Sequence, residues 1–162
     1  MTVHSKGWPS LRFWVRGAII AALYAVLTVA LAPFGFGPFQ VRASEALTVL
    51  PIFWPEAIFG LWFGCLIGNL ASPFGIIDIL GGSTVTLIAA LATYALRRRG
   101  LVALLPPVVL NATLVSMWVS ALTRTPYLWT AGGIAIGEAV SVGILGVPLL
   151  FALRRLPEQV LR

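Results

Sequence analysis

Four stretches of this chain, residues 17–41, 57–77, 79–96 and 100–123, contain no Asp, Glu, Lys or Arg. Each is close to the roughly 20 residues with which an α-helix crosses the hydrocarbon core of a bilayer. Two more apolar segments are less obvious: residues 46–55, which end just before Glu56, and residues 125–153, interrupted only by Glu138. The chain is 59% apolar and 10% charged, with a mean hydropathy of +0.98. A soluble domain holds roughly 45–50% and 25%, so the pattern predicts an integral membrane protein embedded in a lipid bilayer. Continuous apolarity without period-2 alternation argues against a membrane β-barrel.

The expected fold is therefore an all-α membrane protein with six transmembrane helices, at about 16–33, 44–54, 56–72, 76–98, 101–123 and 128–154. The breakers agree with this division: "APFGFGPFQ" (32–40), "WPEA" (54–57), "SPFGIID" (72–78) and "TRTPY" (123–127) are Pro/Gly-rich or polar connections. One domain is predicted, with a tail at 1–15, a bundle at about 16–155 and a second tail at 156–162.

The net charge of +6 could suggest a nucleic-acid partner, but the positions of the charges exclude it. Lys6, Arg12 and Arg16 stand before the first segment, Arg97, Arg98 and Arg99 follow the fourth, and Arg154, Arg155 and Arg162 follow the last. With six spans all nine fall on one side and only Arg42 and Arg124 on the other. The positive-inside rule then places both termini in the cytoplasm. The basic start resembles a secretory signal, but no convincing cleavage site leads into a polar mature chain, so the first segment reads as a retained helix.

Small residues mark close helix packing. Gly60, Gly64 and Gly68 recur every fourth residue on the third segment, and Ala18, Ala21, Ala22 and Ala25 follow Gly17 on the first. Such faces let helix backbones approach closely in lipid. The glycine row suits packing within the bundle; for the alanine stripe a partner subunit is an equal reading.

An ionisable group in a span costs roughly 2.5–3.5 kcal/mol on insertion scales, so each needs a purpose. Glu158 is in the tail, and Glu56 follows Pro55 at an expected helix start, where it complements the dipole. Glu45, after the possible cap Ser44, and Asp78 allow either a helix-start role or a pocket role. Glu138, within "GGIAIGEAVSVGILG", where glycines bring other backbones close, is either an internally hydrogen-bonded structural acid or a pocket group. Gln40 and Arg42 add polar groups beside the first connection, Asn69 and Asn111 lie inside segments, and Trp118, Tyr127, Trp54 and Trp129 serve either as interfacial aromatics or as stacking surfaces.

Catalysis finds no support. The one histidine, His4, is in the N-terminal tail, the one cysteine, Cys65, lies within a span, and the one lysine, Lys6, belongs to no phosphate-binding loop. The chain is expected to be no enzyme and to bind no cofactor or metal. Uphill transport would need an ion, with Glu138 or Asp78 as proton relay, or another subunit.

Against this background, "FGPFQVRASEAL" (36–47) followed by "WPEAI" (54–58), within the continuous stretch 21–91, resembles the QueT family, as do "LLPPVVLNA" (104–112) and "GEAV" (137–140). Trp54 stands where the family has Phe. QueT proteins are substrate-binding S components of energy-coupling-factor (ECF) transporters. The resemblance, over roughly residues 17–155, implies a six-helix S-component bundle in a bacterial cell membrane. It would capture a queuosine precursor, a 7-deazaguanine base such as the 7-cyano or 7-aminomethyl compound or queuine. It would pass this ligand to a transmembrane T component driven by two cytoplasmic ATPases, so that ATP is used by partners. Ala18, Ala21, Ala22 and Ala25 would dock on the T component.

The base offers an N1–H and a 2-amino group side by side, which one carboxylate accepts together. Glu138 is the first candidate and Glu45 the second; Asn111, Asn69 or Arg42 would donate to the 6-oxo group, and Trp118 or Tyr127 would stack. Alternatively Arg42 and Glu45 pair with each other and fix the first connection as a lid, with Gln40 and Asp78 completing the pocket. An S component for another nutrient, a stand-alone ion-coupled carrier and a non-transporting scaffold are the competing readings.

Overall fold

The computed structural model describes residues 10–37 and 39–157, so His4, Lys6, Glu158 and Arg162 lie outside the described residues. All regular structure among the described residues is helical. Six apolar helices follow one another: α1 (Leu11–Ala30), α2 (Ala43–Ile52), α3 (Glu56–Ala71), α4 (Asp78–Ala95), α5 (Gly100–Thr123) and α6 (Tyr127–Arg154). Of these α1, α4, α5 and α6 are long and apolar enough to cross a membrane, and α2 and α3 are shorter.

The expected boundaries differ from these by a few residues, most at the start. Ser10 Oγ accepts from the Phe13 amide at 3.4 Å, so α1 starts at Leu11 instead of residue 16 and carries Arg12 and Arg16 in its first turns. At the other side of the bundle α5 stops where Arg124 takes a left-handed conformation (φ 56°).

α2 is a 3-10 helix, buried continuously from Ser44 to Pro51. At about 2.0 Å per residue a 3-10 helix reaches further than an α-helix of equal length, which suits a short segment threading the middle of the bundle. Leu47, Val49 and Leu50 pack there with Ile20 and Tyr24 of α1, Leu61 and Cys65 of α3, and Val142 and Leu150 of α6. The large apolar residues Leu23, Val26, Phe63, Ile67 and Ile144 point outward instead. Exposed apolar and buried polar side chains are the arrangement that a lipid solvent favours.

The glycine row faces α1 within the same chain. A Cβ at Gly60 would stand 2.7 Å from the Gly17 carbonyl, at Gly64 2.7 Å from the Ala21 carbonyl, and at Gly68 2.8 Å from Thr28 Cβ. These rising partners show that α1 and α3 run parallel in close backbone contact. The alanine stripe is divided by this packing. Ala25 is buried and Ala21 lies against α3, whereas Ala18 and Ala22 remain exposed.

Each of the three long C-terminal helices contains one widened π-helical turn: Asp78–Gly82 in α4, Asn111–Val115 in α5 and Ser141–Gly146 in α6. In α6 the cause is visible in the sequence, since Pro148 has no N–H for the Ile144 carbonyl and its ring pushes that carbonyl away. Such turns re-aim side chains and recur at functional sites.

Candidate functional site

Arg16 and Glu56 meet 3.3 Å apart where α1 and α3 begin, and the Arg16 guanidinium lies 5.1 Å from the Trp54 ring centre. Glu56 thus opens α3 after Pro55 and has a cation beside it. Arg97 to Arg99 follow α4, and Arg154 ends α6. The other end of the bundle holds a different collection of polar groups.

There Gln40, Arg42, Glu45, Asn69, Asp78, Asn111 and Glu138 are all buried. Arg42, just before α2, donates from Nε to the Gly35 carbonyl (3.1 Å), stacks on Phe36 (4.9 Å) and faces Asp78 Oδ2 with Nη2 at 3.5 Å. Asp78, at the first residue of α4, also accepts from Ser72 Oγ (2.6 Å) and from the indole N–H of Trp118 (3.2 Å). Asp78 therefore gathers the first connection, the α3–α4 connection and α5. Glu45 accepts from the Tyr24 hydroxyl of α1. Asn111 of α5 donates its amide to Glu138 Oε1 of α6 at 2.8 Å.

The first connection is pressed against α6. A Cβ on Gly137 would overlap the Phe39 carbonyl, and Gln40 sits beside it with φ 45°, a left-handed backbone that a residue with a Cβ rarely adopts. Both features hold Gln40 and Arg42 over the polar cluster, next to Glu138.

Five atoms of this cluster are sealed from solvent and have no hydrogen-bond partner: Gln40 Nε2, Arg42 Nη2, Glu45 Oε2, Asn69 Oδ1 and Glu138 Oε2. The Arg42 atom is within ion-pair distance of Asp78 but lacks hydrogen-bond geometry. An unmet buried polar group costs about 1–3 kcal/mol, and native structures rarely leave one. Of the five, two are donors and three are acceptors, and each has room in its bonding for a further polar partner.

The structure brings Gln40, Arg42, Glu45, Asn69, Asp78, Asn111, Trp118 and Glu138 together and leaves one expected member aside. Tyr127 is 41% exposed and its hydroxyl donates to the Thr113 carbonyl at 3.0 Å, so it offers no ring to this cluster. Several expected pairings also change. Arg42 meets Asp78 instead of Glu45, because one turn of tight 3-10 helix directs Glu45 toward Tyr24. Ser44 caps nothing; its hydroxyl shares a hydrogen bond with Thr28 Oγ1 at 2.8 Å. Asn69 spends its amide on the Asp78 carbonyl (2.8 Å) and the Cys65 sulfur (3.4 Å), and Asn111 gives one N–H to Glu138, so the nitrogens wholly without a hydrogen-bond partner are those of Gln40 and Arg42.

Tyr24 and Thr28 are the residues that sequence reasoning missed. Thr28 bonds both the Tyr24 carbonyl and Ser44, and Tyr24 is fully buried. The signal was present: a tyrosine deep inside an aliphatic span, with a threonine one turn on, has no interface to serve.

The family model described as "QueT transporter" matches residues 14–155. A protein of Lactococcus lactis subsp. cremoris (strain MG1363) named queuosine precursor transporter QueT is 32% identical over 142 residues, covering 78% of this chain and 83% of that protein. No solved structure matches.

Proposed function

This chain belongs to the QueT transporter family, and on that premise we propose that it is the capture subunit of an importer for a queuosine precursor, a 7-deazaguanine base. The family is one of transporters and not of enzymes. A multi-pass membrane protein with four long apolar helices agrees with that role. In the proposed arrangement all six helices cross a bacterial plasma membrane. The Arg16–Glu56 end faces the cytoplasm, and the polar cluster opens to the outside.

The observation that carries the proposal is the set of five orphaned polar atoms. Glu138 Oε2 would accept from the N1–H and 2-amino edge of the base, with Asn111 fixing the carboxylate through its other oxygen. Gln40 Nε2 and Arg42 Nη2 would donate to the 6-oxo group, and Asn69 Oδ1 would accept from a remaining ring or amino N–H. Trp118, held by Asp78, would supply an apolar flank. A ligand lacking one of these partners would leave a buried group unpaired, and discrimination of this kind is strong. The first connection closes over the ligand, with the strained Gln40 and the Phe39–Gly137 contact as its latch.

Energy would come from other chains, a transmembrane T component and two ATPases, in keeping with a sequence that carries no phosphate-binding loop of its own. Ala18 and Ala22, exposed on α1, suit a docking face for a helical partner.

Calorimetric titration of the purified chain, without partners, tests the reading. Saturable binding of a 7-deazaguanine, with adenine excluded, is expected. Absence of binding by folded protein to 7-cyano-7-deazaguanine, 7-aminomethyl-7-deazaguanine and queuine alike would refute it.

A further inference from the structure

The groove between the starts of α1 and α3 has no part in the polar cluster. It measures about 510 Å³, and its floor is the line where the two backbones touch, since a Cβ on Gly60 would stand 2.7 Å from the Gly17 carbonyl. Trp14 of α1 and Phe59 and Phe63 of α3 form its walls, each about half exposed. Among the described residues lining it, Glu56 alone is charged, and it sits where α3 begins. Arg16 pairs with Glu56 at 3.3 Å, and Arg12, exposed about one helical turn earlier, shares that face of α1. The mouth that α1 and α3 build thus carries two guanidiniums against one carboxylate, and the rest of the lining is uncharged.

Length and charge order together select the occupant. The lining runs from Phe13 to Ala21 on α1, a rise of roughly 12 Å, whereas α1 continues to Ala30. A hydrocarbon core is about 30 Å thick, so the groove serves one leaflet and stops short of what a helix crossing both leaflets would lie against. A phospholipid offers its groups in the matching order, an anionic head first and an apolar chain below. Left empty, the walls would forfeit dispersion contacts on one side.

We propose that this groove binds one anionic phospholipid, its phosphate beside Arg12 and one acyl chain laid over Gly17, Ala18 and Gly60 between the aromatic walls. Arg16 has a part in this beyond joining two helices, because it offsets the Glu56 carboxylate that would otherwise repel the headgroup. The site does not depend on ligand capture at the far end of the bundle. Ala18 also belongs to the face proposed for a helical partner, so docking there requires the lipid to leave.

Native mass spectrometry of the full chain in detergent, supplied with phosphatidylglycerol or phosphatidylcholine of identical acyl chains, tests the proposal. The parent is expected to retain one phosphatidylglycerol with a preference of about fivefold, the size of one basic residue's attraction for an anionic lipid. Ala18→Phe, which fills the groove from an exposed position, should abolish retention of both lipids, and Arg12→Gln should bring their ratio close to one. Equal retention of the two lipids by the parent, no retained lipid, or a stoichiometry that Ala18→Phe leaves unchanged would overturn the assignment. So would a lipid-free mass of two chains, which would make the occupant a second copy. Arg12 is exposed, so its variant keeps the test decisive even if Ala18→Phe does not fold.

Discussion

The two ends of the bundle handle buried charge in opposite ways. Where α1 and α3 begin, Arg16 and Glu56 satisfy each other at 3.3 Å beside an apolar groove of about 510 Å³ lined by Trp14, Ala18, Phe59 and Phe63. At the far end Arg42, Asp78, Glu45 and Glu138 are more deeply buried and still leave donors and acceptors empty. A paired charge at a helix start needs only an architectural reason, since it complements the dipole and anchors two parallel helices. Unpaired atoms in a dry interior add cost without architectural return. A ligand that completed them would offset that cost, which is the ground on which the second end is proposed as the functional one.

The largest separation between the ends should come from removing one partner of each ion pair. Asp78→Ala leaves the Arg42 guanidinium buried without its counter-charge and frees Ser72 and Trp118; a loss of about 3–5 kcal/mol is expected, read by thermal unfolding in detergent. Next, Gly137→Ala must displace the Phe39 carbonyl, which is backbone and cannot swing aside. That overpacking should cost about 1–3 kcal/mol and weaken ligand binding by loosening Gln40 and Arg42. Third, Glu138→Gln should reduce affinity for the base by about 1.5–3 kcal/mol without lowering the unfolding temperature of the empty protein, since it removes a buried carboxylate of which one oxygen has no partner, while the oxygen that accepts from Asn111 is kept. A parallel loss of stability and affinity would show that Glu138 is architectural like Glu56. Smallest is Arg16→Gln at the part-buried pair, about 1 kcal/mol, with ligand affinity unchanged in the same titration.

Much of the bundle was legible in one dimension. Charge-free runs, Pro/Gly connections and the fourfold glycine spacing set the helices and the close α1–α3 contact, because hydropathy and small-residue period report on lipid and on packing directly. The composition of the polar cluster was also visible, since ionisable residues in spans are few. Its pairings were not. Whether Arg42 meets Glu45 or Asp78 depends on the 3-10 pitch of α2, and the side-chain directions of Asp78 and Asn111 depend on π-helical turns that begin at those residues. Neither turn has a proline to announce it as Pro148 does in α6. Tyr127, which sequence position alone made a stacking candidate, was removed from the cluster by its hydrogen bond to Thr113.

A structure of the protein bound to a 7-deazaguanine tests the central claim most directly. The account predicts the base between α2, α5 and α6, with Glu138 Oε2, Gln40 Nε2 and Arg42 Nη2 each within hydrogen-bonding distance, about 2.7–3.2 Å, of its polar edge. A base seated elsewhere, with those atoms paired only to water or to one another, would contradict it.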